Sequence, residues 1–281
     1  MKSITLLFSL FITSTLFAQS PWTKEKGDLF LNISYTTISD YNEIFGDPDY
    51  FANGKITDNT YQIYSEYGLS DKTTFIASIP LKSISVDNFV YIDPAINCAG
   101  DCSELLNFNK TAFGNISLGI KHQFYNKGWV ISGQFVTQFN TSTLDAKSGI
   151  RTGYNAYTFT PQLLVGKSFG KTFFQSHIGV DVRTNDYSNN FKIGGEFGGK
   201  VLKNIWLIGF VDVVESFDDG NRINDNPLNG LYQNDQEYGA YGLKAILQLC
   251  DLGVTASFAN AFSGNNVPKQ SAFSIGIFNT F

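Results

Sequence analysis

The residues that could do chemistry are few and scattered. Only two histidines occur, His122 and His177. Nucleophilic catalysis needs a serine or cysteine within hydrogen-bond reach of such a base. Ser132 lies one strand from His122 but faces the other way in the register argued below, and neither histidine has a Gly-x-Ser-x-Gly setting. There is no glycine-rich phosphate loop and no zinc-ligand spacing. No catalytic residue, metal ligand or cofactor is therefore expected. Cys98 and Cys102 sit in a polar loop, where a small local disulfide is expected for an exported chain. Cys250 reads as unpaired beside a tight turn. Segment 217–235 carries Asp218, Asp219, Asn221, Asn224, Asp225, Asn226 and Asp235. Such oxygens suit calcium, yet the spacing is not that of a full calcium loop. A solvated, turn-rich loop is the plainer reading.

The remaining chemistry is charge, and it needs strands to hold it. The last twelve residues, Gln270 to Phe281, place Phe273, Ile275, Ile277 and Phe281 on alternate positions, with Asn279 the one break. That period of two is a strand with one greasy face. An open apolar edge invites aggregation. A strand that closes a barrel in lipid has no open edge and meets hydrocarbon with that face. Twelve strand-like segments follow the same rule, at about 27–38, 58–70, 73–84, 112–124, 129–140, 155–168, 171–183, 190–202, 204–216, 236–249, 252–262 and 270–281. Tight turns and longer polar loops alternate between them. The turns fall at 71–72, 126–128, 170–171, 203–204 and 250–251. The loops fall at 39–57, 85–111, 141–154, 184–189, 217–235 and 263–269. This is the layout of an up-and-down transmembrane β-barrel with both termini periplasmic. A soluble sandwich has no reason to alternate loop length with strand parity.

The period also assigns the faces. Trp129, Ile131, Gly133, Phe135, Thr137 and Phe139 are expected to face lipid, and Ser132, Gln134, Gln138 and Asn140 the lumen. Tyr35, Tyr67, Phe124, Tyr125, Trp129, Phe169 and Phe281 near strand ends suit the headgroup boundary. A charge on the lipid face would cost about 2–4 kcal/mol at mid-membrane. Glu66, Lys121, His177, Asp181, Arg183, Lys192, Glu196, Lys200, Asp212 and Lys244 are therefore lumen-lining candidates. Two readings stay open. The charges pair across strands and fill the interior, or they line a wet passage. Inward Gly194, Gly198 and Gly242, with Ser117 and Ser257, leave room and favour the passage. Apolar residues in loops 39–57 and 85–111 fold inward as a plug, form a mouth for an apolar solute, or pack over the rim.

The rest of the chain agrees. Met1-Lys2-Ser3, the apolar run Ile4–Phe17 and Ala18 read as a secretory signal peptide over 1–18, with the barrel over 19–281. The mature part has no apolar run of about 18 residues, the length a helical span needs. Phe (26), Tyr (14) and Gly (26) are abundant, while mean hydropathy is −0.08. Alternation hides a barrel's hydrophobicity in this way. A net charge of −5 argues against nucleic acid as a partner. The partners expected are outer-membrane lipid, a small solute, and the barrel-insertion machinery, which would read the strand ending at Phe281.

Several segments carry a resemblance. They are Trp22-Thr23-Lys24-Glu25-Lys26-Gly27, Tyr64 to Asp71, Phe113 to Lys121, and Gly153-Tyr154-Asn155 through Gly166-Lys167-Ser168-Phe169. They are similar to the outer-membrane barrels of the MetA-pathway of phenol degradation family, relatives of the fatty-acid and aromatic-hydrocarbon channels. The family pattern has Gly-Asp before the strand where this chain has Gly114-Asn115. The resemblance implies an outer-membrane barrel passing small molecules, hydrophobic or aromatic ones among them, with no catalytic residues. The alternatives are a non-transporting structural or adhesive surface barrel and, less in keeping with the residues, a lipid-modifying enzyme.

Overall fold

The computed structural model describes residues 20–92, 103–218 and 226–281. The expected signal peptide, residues 1–18, and the expected disulfide partners Cys98 and Cys102 lie outside them. Thirteen strands follow in chain order: β1 (Leu29–Ile44), β2 (Tyr50–Ser70), β3 (Thr73–Ile92), β4 (Ser103–Phe113), β5 (Ser117–Lys127), β6 (Trp129–Gln138), β7 (Thr158–Ser168), β8 (Thr172–Arg183), β9 (Asn190–Leu202), β10 (Ile205–Ser216), β11 (Glu237–Leu249), β12 (Leu252–Asn265) and β13 (Ala272–Thr280). All but β4 follow one another around a closed antiparallel wall of twelve strands. The ring shuts where β1 meets β13, with Phe30 opposite Thr280 and Ile38 opposite Ala272.

The wall alternates as the sequence does. Ile33, Phe75, Ile120, Phe135, Leu163, Ile178, Ile193, Leu207, Leu243 and Ile275 are exposed on its outside. Asn32, Thr74, Lys121, Gln134, Gln175, Glu196 and Lys244 are buried inside it. No helix among the described residues is long and apolar enough to cross a membrane; the outward band of strand residues has that character instead. Tyr67, Phe124, Tyr125, Trp129, Phe169 and Phe281 are exposed near the ends of the strands. Gly128 and Gly170 take positive φ in the tight turns, and Cys250 does so at φ 57°. Short hairpins require that backbone twist.

One expectation about the wall is corrected. The described parts of loop 85–111 are strand rather than loop: β3 runs on to Ile92 and pairs with β4, which begins at Ser103, while the lower part of β3 pairs with β5. A bulge between Val86 and Phe89, with Asn88 at φ 54°, shifts the phase of the alternation. The periodicity breaks there, so the strand does not show in the sequence. The same happens in β1, where Asp40 takes φ 54° between the paired residues Ile38 and Tyr41. Loop 39–57 is largely a hairpin extension for that reason.

Candidate functional site

The interior is built in three tiers. At the turn end, residues 20–28 enter the lumen and seal it. The Lys121 ammonium donates to the Ser20 carbonyl at 3.0 Å, and the Ser132 hydroxyl donates to the Pro21 carbonyl. The Lys24 N–H donates to Thr74 Oγ1 at 2.8 Å. Trp22 meets Phe173 edge-on, with ring centres 6.3 Å apart. Around it Phe30, Tyr64, Ile76, Phe173, Trp206, Ile208, Ile246 and Phe278 form a buried cluster. The wall makes room for this strap with glycine. A Cβ at Gly166 would lie 2.6 Å from the Pro21 ring, and one at Gly68 would overlap the Glu25 carbonyl oxygen.

The charges come together in sets. Glu66 takes Lys121 at 3.1 Å, Lys24 at 3.9 Å and the Tyr64 hydroxyl at 2.7 Å. Glu196 takes Lys244 at 2.9 Å and the Gln175 amide at 2.8 Å. Asp181 takes Arg183 at 3.4 Å, Lys192 at 3.5 Å and the Thr160 hydroxyl at 2.6 Å. His177 lies 3.7 Å from Asp212. Lys200 sits 5.6 Å over the Trp206 ring. The inward glycines do not leave space, contrary to the expectation from sequence. A Cβ at Gly198 would strike Phe173 and Ile208, one at Gly242 the Phe210 ring, and one at Gly194 the pair His177 and Asp212. Small residues here admit large neighbours.

At the loop end a second cap closes the barrel. Tyr41, Ile44, Ala52, Ile56, Ile84, Val86, Phe89, Ile150 and Leu228 form one buried cluster. Segment 226–236 packs against it, which corrects the reading of a solvated loop for 226–235; residues 219–225 lie outside the described residues. Leu228 is fully buried, and its carbonyl accepts from the Asn53 N–H at 2.8 Å. Asn234 is tied to Ser188 at 2.7 Å and to Asn266 at 2.8 Å. Polar side chains that bond backbone inside a barrel look, in sequence, like side chains meant for water. Lys82 pairs with Asp58 at 2.8 Å and faces the Tyr232 ring, and Arg183 lies 4.3 Å over Tyr154. Burial pushes the Tyr232 phenol up to about 12, against the pull of the Lys82 ammonium. Burial raises Tyr154 as well, with Arg183 opposing. Among the described residues no group of His, Cys, Asp and Glu could hold a metal; Asp219, Asn221, Asn224 and Asp225 lie outside them.

Between the two caps lies a chamber of about 170 Å³. Its polar lining is Gln62, Gln134, Gln138, Gln162, Ser78, Ser117, Thr160 and Lys192, with Tyr64, Ile76 and Val136 completing the wall. The Gln134 amide donates to Gln162 Oε1 at 2.9 Å, and Gln62 donates to Ser78. The same two residues, Gln134 and Gln162, floor an apolar groove of about 710 Å³ on the outer wall, lined by Ile120, Phe135, Leu163, Ile178 and Phe191 among others. The wall is weak beside it. Pairing of β7 with β8 skips from Phe159–Val182 to Gln162–Gly179, with Pro161 in the gap. Proline has no N–H to give the ladder. Of the charged candidates named from sequence, Lys192 alone lines the chamber. The strap residues Trp22 and Lys24 and the glutamines Gln62 and Gln162 were not among those candidates. The inward phase of β2 and β7 is the signal that marks the glutamines.

Comparison with solved structures fits this architecture. An outer membrane channel from Pseudomonas putida F1 aligns over 92% of this chain and 97% of its own, with a TM-score of 0.66 and 14% identity. The KdgM porin aligns over 89% and 99%, with a TM-score of 0.51 and 7% identity. The translocator domain of the autotransporter NalP from Neisseria meningitidis aligns over 92% and 90%, with a TM-score of 0.50 and 10% identity. The shared property is the fold. No protein-family model matches the sequence, and no curated protein matches it. The resemblance to the phenol-degradation family therefore rests on its short motifs. Among the described residues no hydrogen bond joins a serine to either histidine. His122 is on the outer face, bonded to Thr73 at 2.9 Å, while Ser132 bonds Pro21 on the inner face.

Proposed function

We propose that the chain is an outer-membrane channel through which small solutes diffuse. One observation carries this reading: the lumen is not filled along its length, but keeps a polar chamber between two packed caps. A barrel that served only as a scaffold would gain by packing its middle as it packs its ends. Passage then needs each cap to yield. The strap 20–28 is the movable part at the turn end, which we place in the periplasm. Hairpin 39–57 and the paired upper stretches of β3 and β4, with segment 226–236, are the movable parts at the loop end. The strand ending at Phe281 is the part that insertion machinery would read. Liposome swelling tests the channel. Full-length protein reconstituted in vesicles should admit solutes of glycerol size faster than protein-free vesicles, and a barrel that presents its loops without transporting would show no difference.

A second reading has its own observation, the apolar groove beside the Pro161 gap. An apolar or aromatic solute, as the family resemblance implies, would cross the wall there between lumen and lipid. A disulfide joining Pro161→Cys to Val180→Cys, in a Cys250→Ser background, would close that seam. It should stop uptake of an apolar probe and leave glycerol swelling unchanged. Equal uptake of the probe with the bridge formed would remove this reading.

A further inference from the structure

We infer that the mid-lumen chamber is a binding site for a small uncharged solute bearing both hydrogen-bond donors and acceptors, of the polyol or urea class. The inference deepens the channel reading and rests on it, taking the chamber as the selective point of the passage.

The lining decides the class. Four carboxamides, Gln62, Gln134, Gln138 and Gln162, converge with the Ser78, Ser117 and Thr160 hydroxyls. Each carboxamide offers two donors and an acceptor, and each hydroxyl offers both roles. No carboxylate lines the chamber, so a cation finds no counter-charge there. The one ammonium, Lys192, already faces the Asp181 carboxylate at 3.5 Å, so an anion would compete with a buried partner. An apolar solute would strip the amides of water and return no hydrogen bond, which is costly. A molecule that both gives and takes hydrogen bonds suffers neither loss.

The site is also unfinished without an occupant. Gln134 is 4% exposed and spends one of its two amide hydrogens on Gln162. Its Oε1 is buried and has no partner within the protein. Thr160 and Gln62 are bonded to Asp181 and Ser78, which fixes them against the wall. The open acceptor therefore sits on a held frame, which is how a site favours one ligand chemistry over its isostere. The volume, about 170 Å³, equals the share of about five to six waters in the liquid. That is room for a molecule of a few heavy atoms. The chain packs both caps around aromatic rings, and four inward glutamines meet between them.

The test separates binding from passage. Saturation-transfer NMR on the full-length barrel in micelles reads contact with glycerol and with urea directly, using sodium acetate and methylammonium chloride as charged comparators. Swelling of vesicles reads flux of the same four solutes. The variants are Gln134→Leu with Gln162→Leu, and separately Gln138→Leu; each is first shown to be folded by its heat-modifiable gel mobility. Transfer to glycerol and urea in wild type, cut at least tenfold in the double variant and reduced in Gln138→Leu, with weak transfer to both ions, supports the site. Transfer absent in wild type, equal for the ions, or unchanged in the leucine variants overturns it whatever the flux. Transfer present with no swelling for any solute overturns the channel reading and leaves the site standing as a closed pocket.

Discussion

Replacing Glu66 by Leu should release the strap at the turn end. Glu66 holds Lys121 at 3.1 Å and Lys24 at 3.9 Å, with all three side chains nearly out of water. At an effective dielectric of about 20, those contacts are worth about 5 and about 4 kcal/mol gross. Desolvation of the ions offsets much of that. Removing one partner of such a set costs about 3–5 kcal/mol, because the opposite charges stay buried without it. Here two ammonium groups would remain, one on the wall and one on the strap. The barrel can relieve them by letting residues 20–28 swing out with Lys24, which also gives up the Ser20 and Pro21 hydrogen bonds. Urea unfolding of the protein in lipid vesicles should show the loss, and trypsin should gain access to Lys24. Glu66→Leu combined with Lys121→Met and Lys24→Met should recover most of the stability, since an apolar replacement of the whole set is near neutral in comparable cases. A loss below about 1 kcal/mol, well under that range, together with a strap still resistant at Lys24, would refute the electrostatic latch.

Other outcomes follow from single positions. Gly68→Ala puts a methyl group into the Glu25 carbonyl; it should unseat the strap from a folded barrel and raise small-ion conductance in planar bilayers severalfold, and unchanged conductance would show that the strap does not limit passage. Cys250→Gly should raise stability by about 1 kcal/mol in urea, because a non-glycine residue pays about that much in the left-handed region that Cys250 occupies at φ 57°. Cys250 is exposed at the turn end, so in a Cys98→Ser/Cys102→Ser background a membrane-impermeant maleimide should label it only after the outer membrane is permeabilised. Labelling in intact cells would invert the proposed topology. The Lys269 ammonium, by hydrogen bonding, holds the Asp49 carboxyl below its usual range. A depressed carboxyl contributes stability above its unfolded pKa and loses it as pH falls through the folded value. The protection factors of the Phe45 and Asn266 amides, whose bonds lie beside this clamp, should therefore fall as pH drops from about 5 towards 2, and Lys269→Ala should remove that pH dependence.

The wall was legible because the membrane imposes a strict rule on each strand. Phe135 must meet lipid and Gln134 must not, so a period of two assigns both without further knowledge. The interior obeys no such rule. Residues 20–28 have no period, because they lie across the lumen as an irregular segment, and their place shows only in the wall glycines Gly68 and Gly166 that face them. Gly198 and Gly242 misled in the opposite sense: a small residue in sequence says that something large is near or that nothing is, and only the Phe173 and Phe210 rings decide which. In hairpin β3–β4 the bulge at Asn88 breaks the alternation on which strand recognition depends. Segment 226–236 hides its burial behind asparagines, whose side chains satisfy backbone groups that water would otherwise serve.

The pairing of Phe30 with Thr280 has a kinetic meaning. Its two residues stand far apart in the chain, so the contact that shuts the ring is among the most non-local ones in the fold. Loop-closure entropy must be met before that contact returns anything, which slows folding. Until β13 arrives, β1 and β12 both present unpaired edges, and such edges recruit other chains. Deleting residues 272–281 should therefore not yield a smaller barrel with a wider gap. It should yield a chain that aggregates or is degraded, so the last strand acts as the commitment step for all the strands before it.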